Sequence, residues 1–206
     1  VDMTRQTLSD YSYELLKQIN EAHTNKNKAR FNALSDRFLK VILDQDRLLS
    51  TMPDFMLGTT ISRARNLGNN KEEKDLYEKN ARLLVTTWGP EASANGGGLK
   101  DYSNREWGGL MKDYYYPRWK LMFDRLKAGS TAPSGNSYFP MEYKWATTPT
   151  TDNPYPDSPQ GDPIGVAKEI FGNYYMNLHV ESTVSESFLV PVEGIVKRDQ
   201  QMIVYR

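Results

Sequence analysis

At 206 residues the chain can bury one substantial core, and its 26 basic and 26 acidic side chains balance to a formal charge of zero. That balance argues against nucleic acid as the main partner, because phosphate binding calls for a basic surplus or stripe. The absence of cysteine excludes disulfides and thiolate metal sites, and His23 and His179 lack metal-ligand spacing, so no metal or other cofactor is expected.

The chain opens inside a helical pattern. Leu8, Tyr11, Leu15 and Ile19 recur near 3.6 residues and predict a helix from about Thr4 to Ala22. Such an opening has no signal-peptide character and suggests a domain cut from a longer parent. "TNKNK" breaks the helix, and Phe31, Leu34, Phe38, Ile42 and Leu49 line a second one that ends before Pro53. Pro53 suits the first position of a third helix, lined by Phe55, Ile61 and Ala64 and stopped by a left-handed Gly68. Asn70 with Glu73 resembles a capping box for a fourth helix. Its expected inner face is Leu76, Tyr77, Asn80, Ala81 and Leu84, and Gly89-Pro90 ends it near Trp88.

After a glycine-rich loop, the spacing of Trp107, Leu110, Met111, Tyr114, Tyr115, Trp119, Met122, Phe123 and Leu126 predicts one long helix from Asp101 to Ala128, kinked at Pro117. Residues 129–160 read as an ordered surface connection with one helical turn around Met141 to Trp145. Asp162-Pro163 starts a last helix whose face is Val166, Ile170, Phe171, Tyr174 and Leu178. No stretch reaches the roughly 20 apolar residues of a membrane helix. The fold class is thus all-α: a multi-helix, bundle-like domain over 1–180, with one long proline-kinked helix. Residues 181–206, "SFLVPVEGIVKRDQQMIVYR" and its approach, read as a short strand-like tail.

The stretch "TTWGPEASANGGGLKDYSNREW" stands apart from this pattern. Trp88 either plugs a gap between helices or faces a ligand with its flat apolar ring and indole N–H. Glycines 96 to 98 let backbone come close to a ligand or a neighbouring domain. Asp101 suits the cap of the helix that follows, whatever else it does. Trp107 and Trp119 belong to the buried stripe.

Taken together, "ARLLVTTWGPE", "DYSNREWGGL", "YYYPRWKLMFDRL", "FMLGTTISRARN" and "GDPIGVAKEIFGNYY" resemble the C-terminal helical domain of the α-N-acetylglucosaminidases, glycoside hydrolase family 89. The resemblance covers roughly residues 1 to 178. It implies a parent of three parts: a small α/β domain, a (β/α)8 barrel, and this helical domain as the barrel's partner. The implied activity is retaining, exo-acting removal of terminal α-linked N-acetylglucosamine from glycans, with both catalytic glutamates in the barrel and none in this chain.

It further implies that a loop of this domain closes one side of the substrate cleft, with Trp88, Leu99, Asp101 and Tyr102 matching positions around that wall. Arg82, Glu91 and Arg118 are expected to support the loop, Arg82 by pairing with Glu91 or a carbonyl and Arg118 at the kink. The connection "ASANGGGLK" is longer and richer in glycine than is usual for the family. The compartment stays open between secreted, periplasmic and lysosomal. The alternative from another class is a non-catalytic helical module that binds a glycan or a protein.

Overall fold

The computed structural model describes residues 1–90, 99–150 and 154–182, the side chains of 135, 136 and 175–182 excepted. Among the described residues it holds seven α-helices: α1 (Asp2–Thr24), α2 (Lys28–Leu49), α3 (Leu57–Arg65), α4 (Lys71–Leu84), α5 (Tyr116–Lys127), α6 (Gly135–Thr147) and α7 (Pro163–Ser182). The expected strand-like tail, from residue 183 on, lies outside the described residues.

Helices α1 and α2 form a hairpin, and α2 is the central element, also packed against α5 and α7. The periodic residues meet where the 3.6 repeat puts them: Leu8, Leu15 and Ile19 of α1 are buried with Phe38, Ile42 and Leu49 of α2 and with Val166 and Ile170 of α7. Phe38 sits 4.6 Å, centroid to centroid, from Trp119, and Phe123 meets Phe38 edge-on at 5.6 Å. Both tryptophans assigned to the buried stripe pack on this core, Trp107 only partly buried.

Local chemistry sets the helix starts. The Asn70 side chain accepts from the Glu73 backbone N–H at 2.9 Å, and the Glu73 carboxylate accepts from the Asn69 backbone N–H. The Asp162 carboxylate accepts from the N–H groups of Gly165 and Ile164. Pro53 opens a 3-10 turn, Pro53–Phe55, and α3 follows it at Leu57. Gly68 is not left-handed; its N–H closes a simple turn on the Arg65 carbonyl.

Three larger expectations are also corrected. The long helix does not begin at Asp101. Residues 99–104 form turns, Gly108 pairs in a short parallel bridge with Met56, and helical structure starts only with a π-helical turn, Met111–Tyr115, that runs into α5. A side chain at Gly108 would collide with Ser50, so this segment lies flat against the end of α2. Pro117 occupies the first turn of α5, where a missing N–H costs least, and the wider π turn before it absorbs the kink.

The face of α4 is also inverted. Its buried residues are Glu78 and Arg82, while Leu76 and Leu84 are 50% and 51% exposed. Burial of this pair is tolerated because the Glu78 carboxylate is well satisfied, accepting from Arg82 (2.6 Å), Arg65 of α3 (2.6 Å) and the Thr150 N–H (3.0 Å). Desolvation, the largest influence on that carboxyl, pushes its pKa up, but the Thr150 N–H and Arg82 outweigh it and hold it below the usual value. Third, the connection 129–160 contains a full helix, α6, with Pro140 inside it, in place of a single turn.

Asp46 of α2 fixes the start of the π turn. Its Oδ1 accepts from the backbone N–H groups of Gly109 (2.7 Å) and Lys112 (3.0 Å). Burial pushes its carboxyl up to about 6, with the two N–H donors pulling the other way. A carboxyl raised on folding stabilises the fold below its unfolded pKa and loses that contribution as pH rises through the folded value. The stability of the protein relative to Asp46→Asn is therefore expected to fall by about 2 kcal/mol between pH 4 and pH 7. Urea titrations of both proteins across that range check it, and a flat or rising difference would refute it.

Candidate functional site

Helix α4 ends in a manner that costs backbone strain. The Trp88 N–H reaches back to the Leu83 carbonyl at 2.7 Å, which puts Trp88 itself at φ 62°. Left-handed backbone costs a non-glycine residue about 1–2 kcal/mol. Asp101 (φ 57°) and Asn104 (φ 45°) are left-handed too, so three of the four such non-glycine residues described flank this loop. Asp and Asn tolerate this conformation, so the strain rests on Trp88, and a strained aromatic at a loop mouth is a candidate for function.

The two ends of the loop are joined by backbone, with the Asp101 N–H donating to the Thr86 carbonyl at 2.7 Å. The side chains then separate into two sets. Trp88, Leu99 and Tyr102 point outward, Tyr102 being 72% exposed, and the Trp88 and Tyr102 rings meet edge-on at 6.1 Å. Lys100 and Asp101 point inward. The Asp101 carboxylate accepts from Arg118 Nη1 of α5 at 2.7 Å, and the Lys100 ammonium pairs at 2.6 Å with Glu142 of α6. Arg118 Nε lies 3.0 Å from the other Glu142 oxygen.

This cluster of two cations and two carboxylates is roofed by aromatic rings. The Arg118 guanidinium stands 5.4–5.7 Å from the ring centroids of Tyr114, Tyr115 and Tyr138, within cation–π range. Burial raises the Glu142 carboxyl pKa, and Arg118 and Lys100 oppose that shift. Burial, reinforced by the charge of Asp101, also raises the Tyr114 and Tyr115 hydroxyls, so both stay protonated at any ordinary pH. The outcome is a stiff, charge-neutral base under a small outward-facing aromatic surface.

Of the residues singled out from sequence, Trp88 and Tyr102 touch, Leu99 shares their outward side, and Asp101 turns away toward Arg118. The helix-capping role expected of Asp101 does not exist, since no helix starts there. Arg118 holds the turn that follows the loop. Arg82 lies elsewhere: it donates to the Trp145 carbonyl (2.8 Å) and the Thr150 hydroxyl (2.9 Å) and tethers α6 to α4. Glu91 and glycines 96 to 98 fall outside the described residues.

Sequence reasoning missed Lys100 and Glu142. One signal was present for the latter, a lone carboxylate in "YFPMEYKWA", where every neighbour but Lys144 is apolar or aromatic. Among the described residues no three His, Asp or Glu side chains are placed to hold a metal ion, and no helix is long and apolar enough to cross a membrane. A cavity between α1, α2 and the π turn, bounded by Ser9, Phe38, Gln45 and Tyr115, measures about 20 Å³. It has room for a water molecule and not for a sugar.

The family described as "Alpha-N-acetylglucosaminidase (NAGLU) C-terminal domain" matches residues 1–173, a span that holds every side chain of this site. The chain belongs to that family. Human α-N-acetylglucosaminidase is 29% identical over 187 residues, which is 85% of this chain and 24% of that protein. A family 89 glycoside hydrolase from Clostridium perfringens, solved with 2-acetamido-1,2-dideoxynojirmycin, superposes with a TM-score of 0.78 at 40% identity over 84% of this chain and 20% of its own. The Clostridium perfringens enzyme with GlcNAc-alpha-1,4-galactose, named there as its substrate, gives 0.78 at 38% identity over 86% of this chain and 21% of that one.

The chain thus spans about a quarter of the human relative and a fifth of the bacterial ones. Those relatives are longer enzymes, and this chain matches the domain described as C-terminal; within it, the residues around Trp88 combine exposed rings with a left-handed Trp88 backbone.

Proposed function

We propose that this domain forms one wall of the substrate cleft in a retaining exo-α-N-acetylglucosaminidase, whose catalytic carboxylates lie in a barrel outside this chain. The observation that carries the reading is the outward Trp88–Tyr102 pair, Trp88 on left-handed backbone and Tyr102 next to Asp101, which is held by the buried Arg118. A pyranose offers a face of C–H groups to such rings, and a pre-set ring loses little freedom on binding. A retaining mechanism needs two carboxyl groups about 5–5.5 Å apart on either side of the scissile bond. The buried Asp101 and Glu142 are both engaged with cations, which suits a base for the wall and not that chemistry.

Support for a covering partner comes from α4. Leu76 and Leu84 are half-exposed on α4, Leu67 is exposed before it, and Trp88 is partly exposed beyond its end. An apolar set of this kind is suited to burial against another body, here the barrel of the parent. The bound compounds of the Clostridium perfringens relative supply the ligand class: a terminal N-acetylglucosamine in α linkage.

The test is hydrolysis of an aryl α-N-acetylglucosaminide by the 206-residue chain alone, by the barrel-containing portion alone, and by their mixture. Turnover is expected to rise in the mixture and to be absent with this chain alone. Turnover by the chain alone would place the catalytic carboxylates here. A barrel portion indifferent to this chain would remove the cleft-wall role.

A further inference from the structure

We infer that Glu142, acting with Lys100, is a positioning residue for the aromatic wall: it holds the Leu99–Tyr102 turn against α6 and so sets where the Tyr102 and Trp88 rings stand. The inference rests on the cleft-wall reading of those rings.

The geometry is specific. Four consecutive residues alternate in allegiance, Leu99 and Tyr102 outward, Lys100 and Asp101 inward. The inward pair is held by two different helices, Asp101 by Arg118 of α5 and Lys100 by Glu142 of α6. Glu142 also contacts Arg118, so the carboxylate joins both anchors into one unit, and its side chain has no solvent exposure. A carboxylate in so dry a place is tolerated only when paired, which makes the location of its cations well determined. Helix α6 is itself tied to α4 through Arg82 and the Trp145 carbonyl, and Trp88 lies just beyond the end of α4. The turn carrying Tyr102 and the helix end carrying Trp88 are therefore referenced to the same helix, and Glu142 is the link on the Tyr102 side.

A residue that only stabilises the domain would lower activity by the same factor whatever the wall looks like. One that positions the rings loses its effect once the rings are gone. In the parent enzyme, Glu142→Gln is expected to lower kcat/KM about five-fold or more with the wall intact, and less than about two-fold in a Trp88→Ala/Tyr102→Ala background. The loss of Tm should be the same in both backgrounds.

Lys100→Gln is the companion variant. It removes the outer partner, leaves the one Arg118 guanidinium shared between Asp101 and Glu142, and should show the same pattern if Glu142→Gln fails to fold. An equal fold-loss in both backgrounds, or no loss with the wall intact, overturns the positioning role. If removal of the two rings alone leaves kcat/KM unchanged, the cleft-wall reading itself fails, and the two failures are told apart by that control.

Discussion

Arg118→Met is expected to destabilise the domain by about 3–5 kcal/mol, among the largest effects of any single substitution in it. The methionine fills much of the same volume, so the loss is electrostatic and not a cavity. Without the guanidinium, Asp101 loses its 2.7 Å partner, and the wholly buried Glu142 keeps only Lys100. The three surrounding tyrosine hydroxyls offer nothing in return, since none makes a hydrogen bond to the cluster with good geometry. Arg118→Lys should recover only part of the loss. The arginine hydrogen-bonds Asp101 through Nη1 and sets its Nε 3.0 Å from Glu142 as a charge contact without hydrogen-bond geometry, and a single ammonium does not present its charge to both carboxylates in that way. Urea unfolding of the three proteins reads the difference, and a change under about 1 kcal/mol for the methionine variant would mean that the cluster is open to water and weakly coupled.

The second large effect falls on activity. In the parent enzyme Trp88→Ala is expected to lower kcat/KM about 10-fold or more, since ring contact with the sugar is lost. Trp88→Gly sharpens the test. It relieves left-handed strain of about 1–2 kcal/mol while forfeiting an edge contact of about 0.5–1.5 kcal/mol with Tyr102. The ring is only 38% exposed, so its burial is forfeited as well, and stability should fall by about 1–3 kcal/mol while kcat/KM falls. A tryptophan that merely filled a gap would behave in the opposite way, costing about 3–5 kcal/mol on truncation and leaving kcat/KM in place. Calorimetry and steady-state kinetics on the same variant separate the two.

How far the sequence could be read depended on which physical rule governed each segment. Helices α1, α2 and α7 bury apolar stripes, and the 3.6 repeat marks those plainly. The starts of α4 and α7 were equally legible, because a cap is a local matter of one side chain and two N–H groups. Periodicity misled at α4, where the helix buries an ion pair and exposes its leucines; no hydrophobic count can anticipate that Glu78 will find Arg65 and Thr150. It misled again at Asp101, because Trp107 and Leu110 keep a helical interval across a segment that is in fact pressed flat on Ser50. Helix α6 was hidden by its own glycine, serine and proline, all of which are commonest in loops.

For the candidate site, Trp88, Leu99 and Tyr102 could be picked out by their motif, but their support could not. Lys100 and Glu142 are 42 positions apart, and only the folded chain shows that they meet.

The π-helical turn has a bearing on how this domain tolerates change over time. A π turn bonds residue i to i+5, and its wider ring holds one residue more than an α turn. Tyr114 and Tyr115, neighbours in sequence, are both in the interior within it, and Arg118 follows to reach the ionic base. The turn is thus the place where this helix can take up or lose a residue while α5 keeps its bearing. Along α5 each side chain is tied to a fixed face, whereas a change in length between Met111 and Tyr115 would fall first on the two buried tyrosines.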